Sequence, residues 1–292
     1  MKEDIKSGLS RDIGPLIRLT SEKDNELKGF EIQYKLNKCK FINKLYQYGK
    51  YQLEKFNYDS NFYQNSINLT SPLNCRDKSG KQISECTNRN TFGLYGLIEP
   101  CYGGDLFEHA INRTYKSEIS IKNLMKNILT GVKCIHDNNI IHMDLKLENI
   151  ALVNKDDISG INILDFGLSL DTSKSIRYRP MIGSIDYMAP EVINRKRYNN
   201  KADIYSIGVI LLMILTLMSI PRNKNHEIEW YRYDEYLKED WMKEQFTLYR
   251  KRRHASHVSR FYNITHFLIK LLDPDPTRRY SAEEALAHPW LN

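Results

Sequence analysis

Apolar residues recur at 121, 124, 125, 128, 129, 132 and 135 through ISIKNLMKNILTGVKCIHDNN, the spacing of one buried helix face. Residues 205–220, YSIGVILLMILTLMSI, are apolar on every side, which predicts a central buried helix. The run falls short of the roughly 20 residues that span a bilayer, so a membrane partner is not expected. Trp230 to Tyr249 reads as a charged amphipathic helix and Asn263 to Leu272 as a further one. In SAEEALAH, Ser281 stands three residues before Glu284, the pattern of a capping box. The first hundred residues follow a different rhythm. PLIRL, Pro15 to Leu19, suits a strand, and Glu26 to Asn37 carries a loose helical stripe of Leu27, Phe30, Tyr34 and Leu36. Phe41 to Gly49 alternates as a half-buried strand does, and strand character resumes at Thr91. Between them, residues 56–90 are crowded with Asn, Ser and Tyr, and so long a loop is uncommon in a compact domain. That stretch is read as a surface insertion. No internal repeat is visible.

Polar groups interrupt the pattern where chemistry is expected. In IIHMDLKLENIAL, residues 140–152, Asp144 precedes Lys146 by two residues and Asn149 by five. Asp165 follows Asn149 by sixteen, in INILDFGLS. A lone aspartate beside an apolar run is ordinarily a cap or a turn residue. Two carboxylates, a carboxamide and an ammonium on neighbouring loops are a different matter, since together they can hold a divalent metal and a polyphosphate. Mg²⁺ takes hard oxygen ligands and keeps substrate phosphates in its shell, and Asn149 and Asp165 can supply such oxygens. Asp144 can accept a proton from an incoming hydroxyl, while Lys146 can offset charge on a phosphoryl group in transfer.

Composition narrows the picture modestly. At 292 residues the chain suits one two-lobed domain or two small ones. Its net charge of +7 favours anionic partners, phosphates included, without selecting one. The run RKRRH, Arg250 to His254, is read as a solvated loop, so a nucleic-acid partner is not favoured. The 5 cysteines are odd in number and form no C-x-x-C pair. Neither a disulfide framework nor a zinc site is expected, and a reducing, cytoplasmic setting fits best, with a nuclear one left open. The opening MKEDIKSGLS lacks the apolar core of a signal peptide.

The motifs also carry a family resemblance. HMDLKLEN, His142 to Asn149, resembles the catalytic loop H-R-D-L-K-x-x-N of eukaryotic protein kinases. DFG, Asp165 to Gly167, and APE, Ala189 to Glu191, resemble that family's later signatures, in the same order. IEPCYGGDLFEH is similar to the interlobe hinge, and KADIYSIG to the start of the central helix with its buried Asp203. DPDPTRRYSAEEALAHPWL resembles the closing helices, where Arg279 would pair with Glu191. The likeness runs from about Thr91 to the end and is nearest to calcium/calmodulin-dependent-like serine/threonine kinases. It implies a bilobal α+β fold: a small β-rich N-lobe over residues 1–98, with the insertion 56–90, and a hinge and helical C-lobe over 99–292. It further implies ATP and Mg²⁺ as cofactors, with transfer of the γ-phosphoryl group to Ser or Thr hydroxyls of a protein substrate.

Smaller roles come with the resemblance. The Glu99 carbonyl and Cys101 amide would meet the adenine edge, with Ile98 as gatekeeper and Ala151 in the pocket floor. His142 would pack against Phe166 as a structural residue, and Ser184 would bond Asp144 and Lys146. Asp105 and Glu148 lie where relatives preferring a basic residue before the phosphosite carry acids. Two solvated rim acids are the plainer reading of that pair.

Three departures stand out. Met143 occupies the place of the arginine that grips a phosphorylated activation segment, so phosphorylation of Thr172, Ser173 or Ser175 is not expected to be the on-switch. No G-x-G-x-x-G loop occurs. The strand resembling that of the ATP-anchoring lysine offers Arg18, with Lys6, Lys23 and Lys28 as other candidates and Glu31, or alternatively Glu26, as the partner acid. Only 17 residues precede Arg18, whereas two strands with their turns need roughly 20 or more. The first two strands of the small lobe are therefore expected to be missing or degenerate. An active kinase is the favoured reading; a pseudokinase that docks without catalysis is the alternative.

Overall fold

The structure, a computed structural model, describes residues 16–21, 24–52, 92–111, 117–155, 157–173, 181–216 and 261–292. Strands β1 (Leu16–Ser21), β2 (Leu45–Gln52) and β3 (Phe92–Ile98) form an antiparallel sheet in the order β1-β3-β2. Helix α1 (Asp24–Lys35) lies against it. Phe30, Leu45 and Leu94 are buried between helix and sheet, with Leu27, Tyr48 and Ile98 packed around them. Gly96 makes room for this small core: a Cβ there would fall 2.7 Å from the Phe30 ring. Complete burial of a phenylalanine contributes about 2–3 kcal/mol, so one ring holds much of the helix to the sheet.

The expected strand from Phe41 to Gly49 begins only at Leu45. Phe41 instead turns through a positive φ of 64°, and Ile42 bridges to Ile163. The Ile163 N–H donates to Phe41 O at 2.8 Å and the Asn43 N–H to Ile163 O at 3.1 Å. Phe41 and Ile42 leave the strand because their apolar side chains serve the second core, not the sheet. Residues 1–15, the insertion 56–90, the helix expected over 230–249 and the RKRRH run lie outside the described residues.

The second, larger core is built around α3 (Glu118–Asp137) and α5 (Lys201–Thr216). Ser117 caps α3 by accepting from the Ser120 N–H at 3.1 Å. All seven periodic positions of α3 are buried, as the period requires: Ile121, Leu124, Met125, Ile128, Leu129, Val132 and Ile135. Helices α2 (Leu106–Ile111), α4 (Pro190–Ile193), α6 (Phe261–Leu271) and α7 (Ala282–Leu286) complete the helical set among the described residues. The capping box at Ser281 and Glu284 is formed. Two small antiparallel pairs, β4 (Ile140–Ile141) with β7 (Leu170–Asp171) and β5 (Ile150–Asn154) with β6 (Asp157–Ile163), went unread in the sequence. With two residues each, β4 and β7 are too short to show a period. The result is an α+β fold with a small sheet-and-helix lobe and a larger helical one.

The expectation that no disulfide forms is overturned. Cys39, in the turn after α1, and Cys134, on α3, form a disulfide with their Cα atoms 5.9 Å apart. They are 95 residues apart in the chain, so only the docking of one lobe on the other brings them together.

Candidate active site

Asp203, in the first turn of α5, sets the loop that carries the expected chemistry. Its Oδ2 accepts the His142 N–H at 2.8 Å and faces His136 Nε2 at 2.9 Å, while Oδ1 accepts the Met143 N–H at 2.9 Å. Burial alone would raise this carboxyl, but the His136 bond and charge and the His142 N–H hold it below the ordinary range. The two backbone bonds fix a turn in which Met143 sits at φ 68°, a region costly for a side chain with a Cβ. Its side chain is buried in the larger core.

Asp144, only 8% exposed, follows with both oxygens engaged. Oδ1 accepts the Ser184 N–H at 2.9 Å and the Ser184 hydroxyl at 2.7 Å. Oδ2 accepts from Asn149 Nδ2 at 3.0 Å and pairs with Lys146 Nζ at 3.1 Å. Lys146 Nζ also donates to Ser184 Oγ at 2.9 Å. Three of the four expected residues are thus in mutual contact, with Ser184 as the fourth member of the cluster. Gly183 permits this approach. It adopts φ 111°, and a Cβ there would stand 2.3 Å from Met143 O.

Asn149 Nδ2 gives one hydrogen to Asp144 O at 2.8 Å and the other to Asp144 Oδ2. Its amide oxygen is therefore at the opposite end from Asp144. The Leu164 N–H donates to Asn149 O at 2.8 Å, which ties the loop to the residue just before Asp165. Asp165 stands at φ 62° and accepts the Gly167 N–H at 3.3 Å. A carboxamide oxygen and a carboxylate are hard donors, the set that fits a Mg²⁺ completing its shell with phosphates and water. Among the described residues no group of three or more His, Cys, Asp or Glu side chains forms an all-protein metal cage. His142 is fully buried, with its ring 4.9 Å from that of Phe166. Its Nε2 donates to Leu164 O at 3.0 Å and its Nδ1 accepts the Asp144 N–H at 3.3 Å, so its place is structural.

Helix α1 reaches the same site. A Cβ on Gly29 would lie 2.9 Å from the Gly167 backbone, and Glu26 Oε2 is 3.8 Å from where a Gly167 Cβ would be. Glu31, the preferred partner acid, is exposed. Five residues turn a helix by about 500°, which carries Glu31 far round from the face Glu26 presents. The acid facing the DFG turn is Glu26. Arg18 lies on β1 opposite Gly96 of β3.

At the hinge the sequence reading missed a polar network. Asn43 Nδ2 donates to Glu99 O at 2.8 Å, the carbonyl expected to meet adenine. Gln33 of α1 donates to Asn43 O at 2.9 Å, and Asn162 of β6 donates to Glu99 Oε2 at 3.1 Å. Both asparagines approach Cys101 Sγ at 3.6 Å, and burial pushes that thiol up. Part of the signal was present in the sequence, since Gln33 stands between Ile32 and Tyr34 and Asn162 between Ile161 and Ile163. Ile98 is half-buried, while Ala151 is buried on β5, bridged to Asp105. Asp105 Oδ1 accepts the Glu108 N–H at 2.9 Å at the start of α2, a capping bond. Glu148 is exposed and accepts the Tyr187 hydroxyl at 3.4 Å. Burial, then the Glu148 charge, raises that tyrosine hydroxyl.

Glu191 and Arg279 form a bidentate buried pair at 2.6 and 2.9 Å. Arg279 further donates to Asp273 O and Lys201 O, so its charge is bonded on several sides.

A carboxylate braced by an ammonium and a serine, two hard oxygen donors on the neighbouring loops, and a helix leaning on the DFG turn between two lobes are the arrangement of a protein kinase domain. A protein kinase domain model matches residues 82–291, and the chain belongs to that family. It is 32% identical over 206 residues to calcium-dependent protein kinase 21 of Oryza sativa subsp. japonica, covering 70% of this chain and 34% of that protein. It is 34% identical over 203 residues to calcium-dependent protein kinase 22 of the same species, covering 68% and 32%. With calcium-dependent protein kinase 14 of Arabidopsis thaliana it shares 33% identity over 195 residues, covering 67% and 34%. The chain spans about a third of the length of these curated relatives.

Proposed function

We propose that this chain is an ATP-dependent serine/threonine protein kinase that transfers the γ-phosphoryl group to Ser or Thr hydroxyls of a protein substrate. The observation that carries the reading is the cluster of Asp144, Lys146, Asn149 and Ser184. ATP with Mg²⁺ would be held by Asn149, Asp165 and the Glu99–Cys101 hinge, and would supply the phosphoryl group. Asp144 accepts the proton of the attacking hydroxyl. Ser184 and Asn149 keep its carboxylate oriented, and Lys146 offsets charge on the transferring group. Glu148 and Asp105 support a basic residue in the substrate beside the acceptor, Glu148 the more so because it is exposed. A cytoplasmic location belongs to the same proposal.

The test is a thermal-shift titration with ATP and Mg²⁺, paired with a phosphate-incorporation assay. A metal-dependent rise in Tm is expected, with incorporation lowered at least 10²-fold by Asp144→Asn. A second reading, a docking module without catalysis, is favoured by Arg18 in place of the anchoring lysine and by the prior engagement of the Glu99 carbonyl. It predicts no shift at millimolar nucleotide.

A further inference from the structure

The turn after α1 is the place where the small lobe is fastened to the large one. Phe41 and Asn43 exchange backbone hydrogen bonds with Ile163 at 2.8 and 3.1 Å. Lys35 Nζ donates to Asn138 O at 3.3 Å and lies 4.0 Å from Asp171. A Cβ on Gly131 would sit 3.3 Å from that of Phe41, so this turn and α3 are in close contact. Into this seam the Cys39–Cys134 bond is set, with Cys39 only 7% exposed. Asn138 Nδ2 lies 3.8 Å from Cys39 Sγ and 3.9 Å from Cys134 Sγ while bonded to Cys134 O at 2.9 Å. One amide thus faces both sulfurs and can stabilise either as a thiolate, the attacking or leaving form in thiol–disulfide exchange.

We infer that Cys39 and Cys134 are a redox site whose disulfide clasps the C-terminal end of α1 to α3. The oxidant is a small disulfide of the glutathione class. One thiolate attacks it, forming a mixed disulfide and releasing one thiol. The second cysteine then attacks the protein-bound sulfur, closing the Cys39–Cys134 bond and releasing a second thiol. The two protein thiols are oxidised, one oxidant disulfide is reduced to two thiols, and the reverse exchange reopens the clasp. Burial of Cys39 confines the reaction to small reagents. The free Cys101 is separate from this seam, bonded at the hinge.

The clasp acts on α1. That helix presents Gly29 to the Gly167 backbone and Glu26 toward the same turn. Anchoring its far end restricts the swing of the near end over the DFG turn. The chemistry of the site stands without the kinase reading, and only the meaning of the α1 restraint rests on it.

The experiment uses the full chain carrying Cys75→Ser and Cys86→Ser, so that neither cysteine competes as a partner. The protein is equilibrated in glutathione buffers of graded ratio, trapped by alkylation and mapped by peptide mass spectrometry. A Cys39–Cys134 cross-link that appears and disappears reversibly is expected. The oxidised form should melt roughly 5 °C or more above the reduced form, since closing so long a loop constrains the unfolded chain. Amide exchange over residues 24–35 should slow at least threefold on oxidation. Cys134→Ser should abolish both differences, and the reduced parent serves as the reference if that variant folds poorly. Failure of the cross-link to form, or its formation with α1 exchange unchanged, overturns the inference. Neither readout needs phosphotransfer, so absence of kinase activity leaves it standing.

Discussion

Both oxygens of Asp144 are occupied before any substrate arrives, and that decides what its neighbours are for. Ser184 contributes two of the four contacts to the carboxylate. Ser184→Ala should lower kcat about tenfold with KM little changed, because orientation of a base matters in the transition state more than in binding. Met143 tells the opposite story. Its side chain is buried against apolar neighbours where a phosphate-gripping arginine would need a charged partner. Replacing Thr172, Ser173 and Ser175 together by Ala should leave phosphate incorporation within about twofold of the parent. A collapse of activity would show that another cation reads the segment. Arg279→Ala leaves Glu191 buried without its cationic partner, and the expected loss is about 3–5 kcal/mol in chemical denaturation.

Helix α1 is the element on which the site most depends, and its contact is backbone against backbone. Gly29 must be glycine for the helix to approach the DFG turn, since a methyl there would fall 2.9 Å from Gly167. Gly29→Ala should therefore reduce activity about tenfold or more, while its higher helix propensity offsets part of any stability loss. Circular dichroism unchanged beside impaired nucleotide-dependent thermal shift would distinguish displacement from unfolding. Equal activity in the variant would mean that α1 does not bear on the turn. The network from Gln33 through Asn43 to Glu99 ties the same helix to the hinge, so α1 touches both ends of the proposed nucleotide site.

For the whole molecule, acid should act through the closing helices as well as through the site. His288 Nδ1 accepts the Trp290 N–H at 3.1 Å, and its Nε2 is 2.9 Å from His266 Nδ1. Burial, then the neighbouring His266, pushes His288 down to about 4, so the fold requires it neutral. The unfolded chain takes up the proton near pH 6.5 and the folded chain only near 4. Stability is thus full above pH 6.5 and falls as pH drops through that window, by roughly 1–2 kcal/mol after solvent screening. A Tm that declines between those limits, with the slope reduced in His288→Asn, is the expected result. Asp203 adds a second loss at lower pH, because its depressed carboxyl must be protonated before its three contacts release.

The sequence by itself determined helices α3, α5, α6 and α7 of the large lobe, the sheet-and-helix character of the small one, and the order of the reacting groups. Those signals are local: a period along α3, a capping box at Ser281, and the fixed spacing of Asp144, Lys146 and Asn149 within one loop. Tertiary structure decided what depends on two distant segments meeting. It turned Phe41–Lys44 out of the sheet and chose Glu26 over Glu31, because the facing turn selects which side of α1 looks inward. It set Asn43 behind the Glu99 carbonyl and joined Cys39 to Cys134. No pattern along a chain encodes such pairings, since they arise only when one lobe's core closes against the other's.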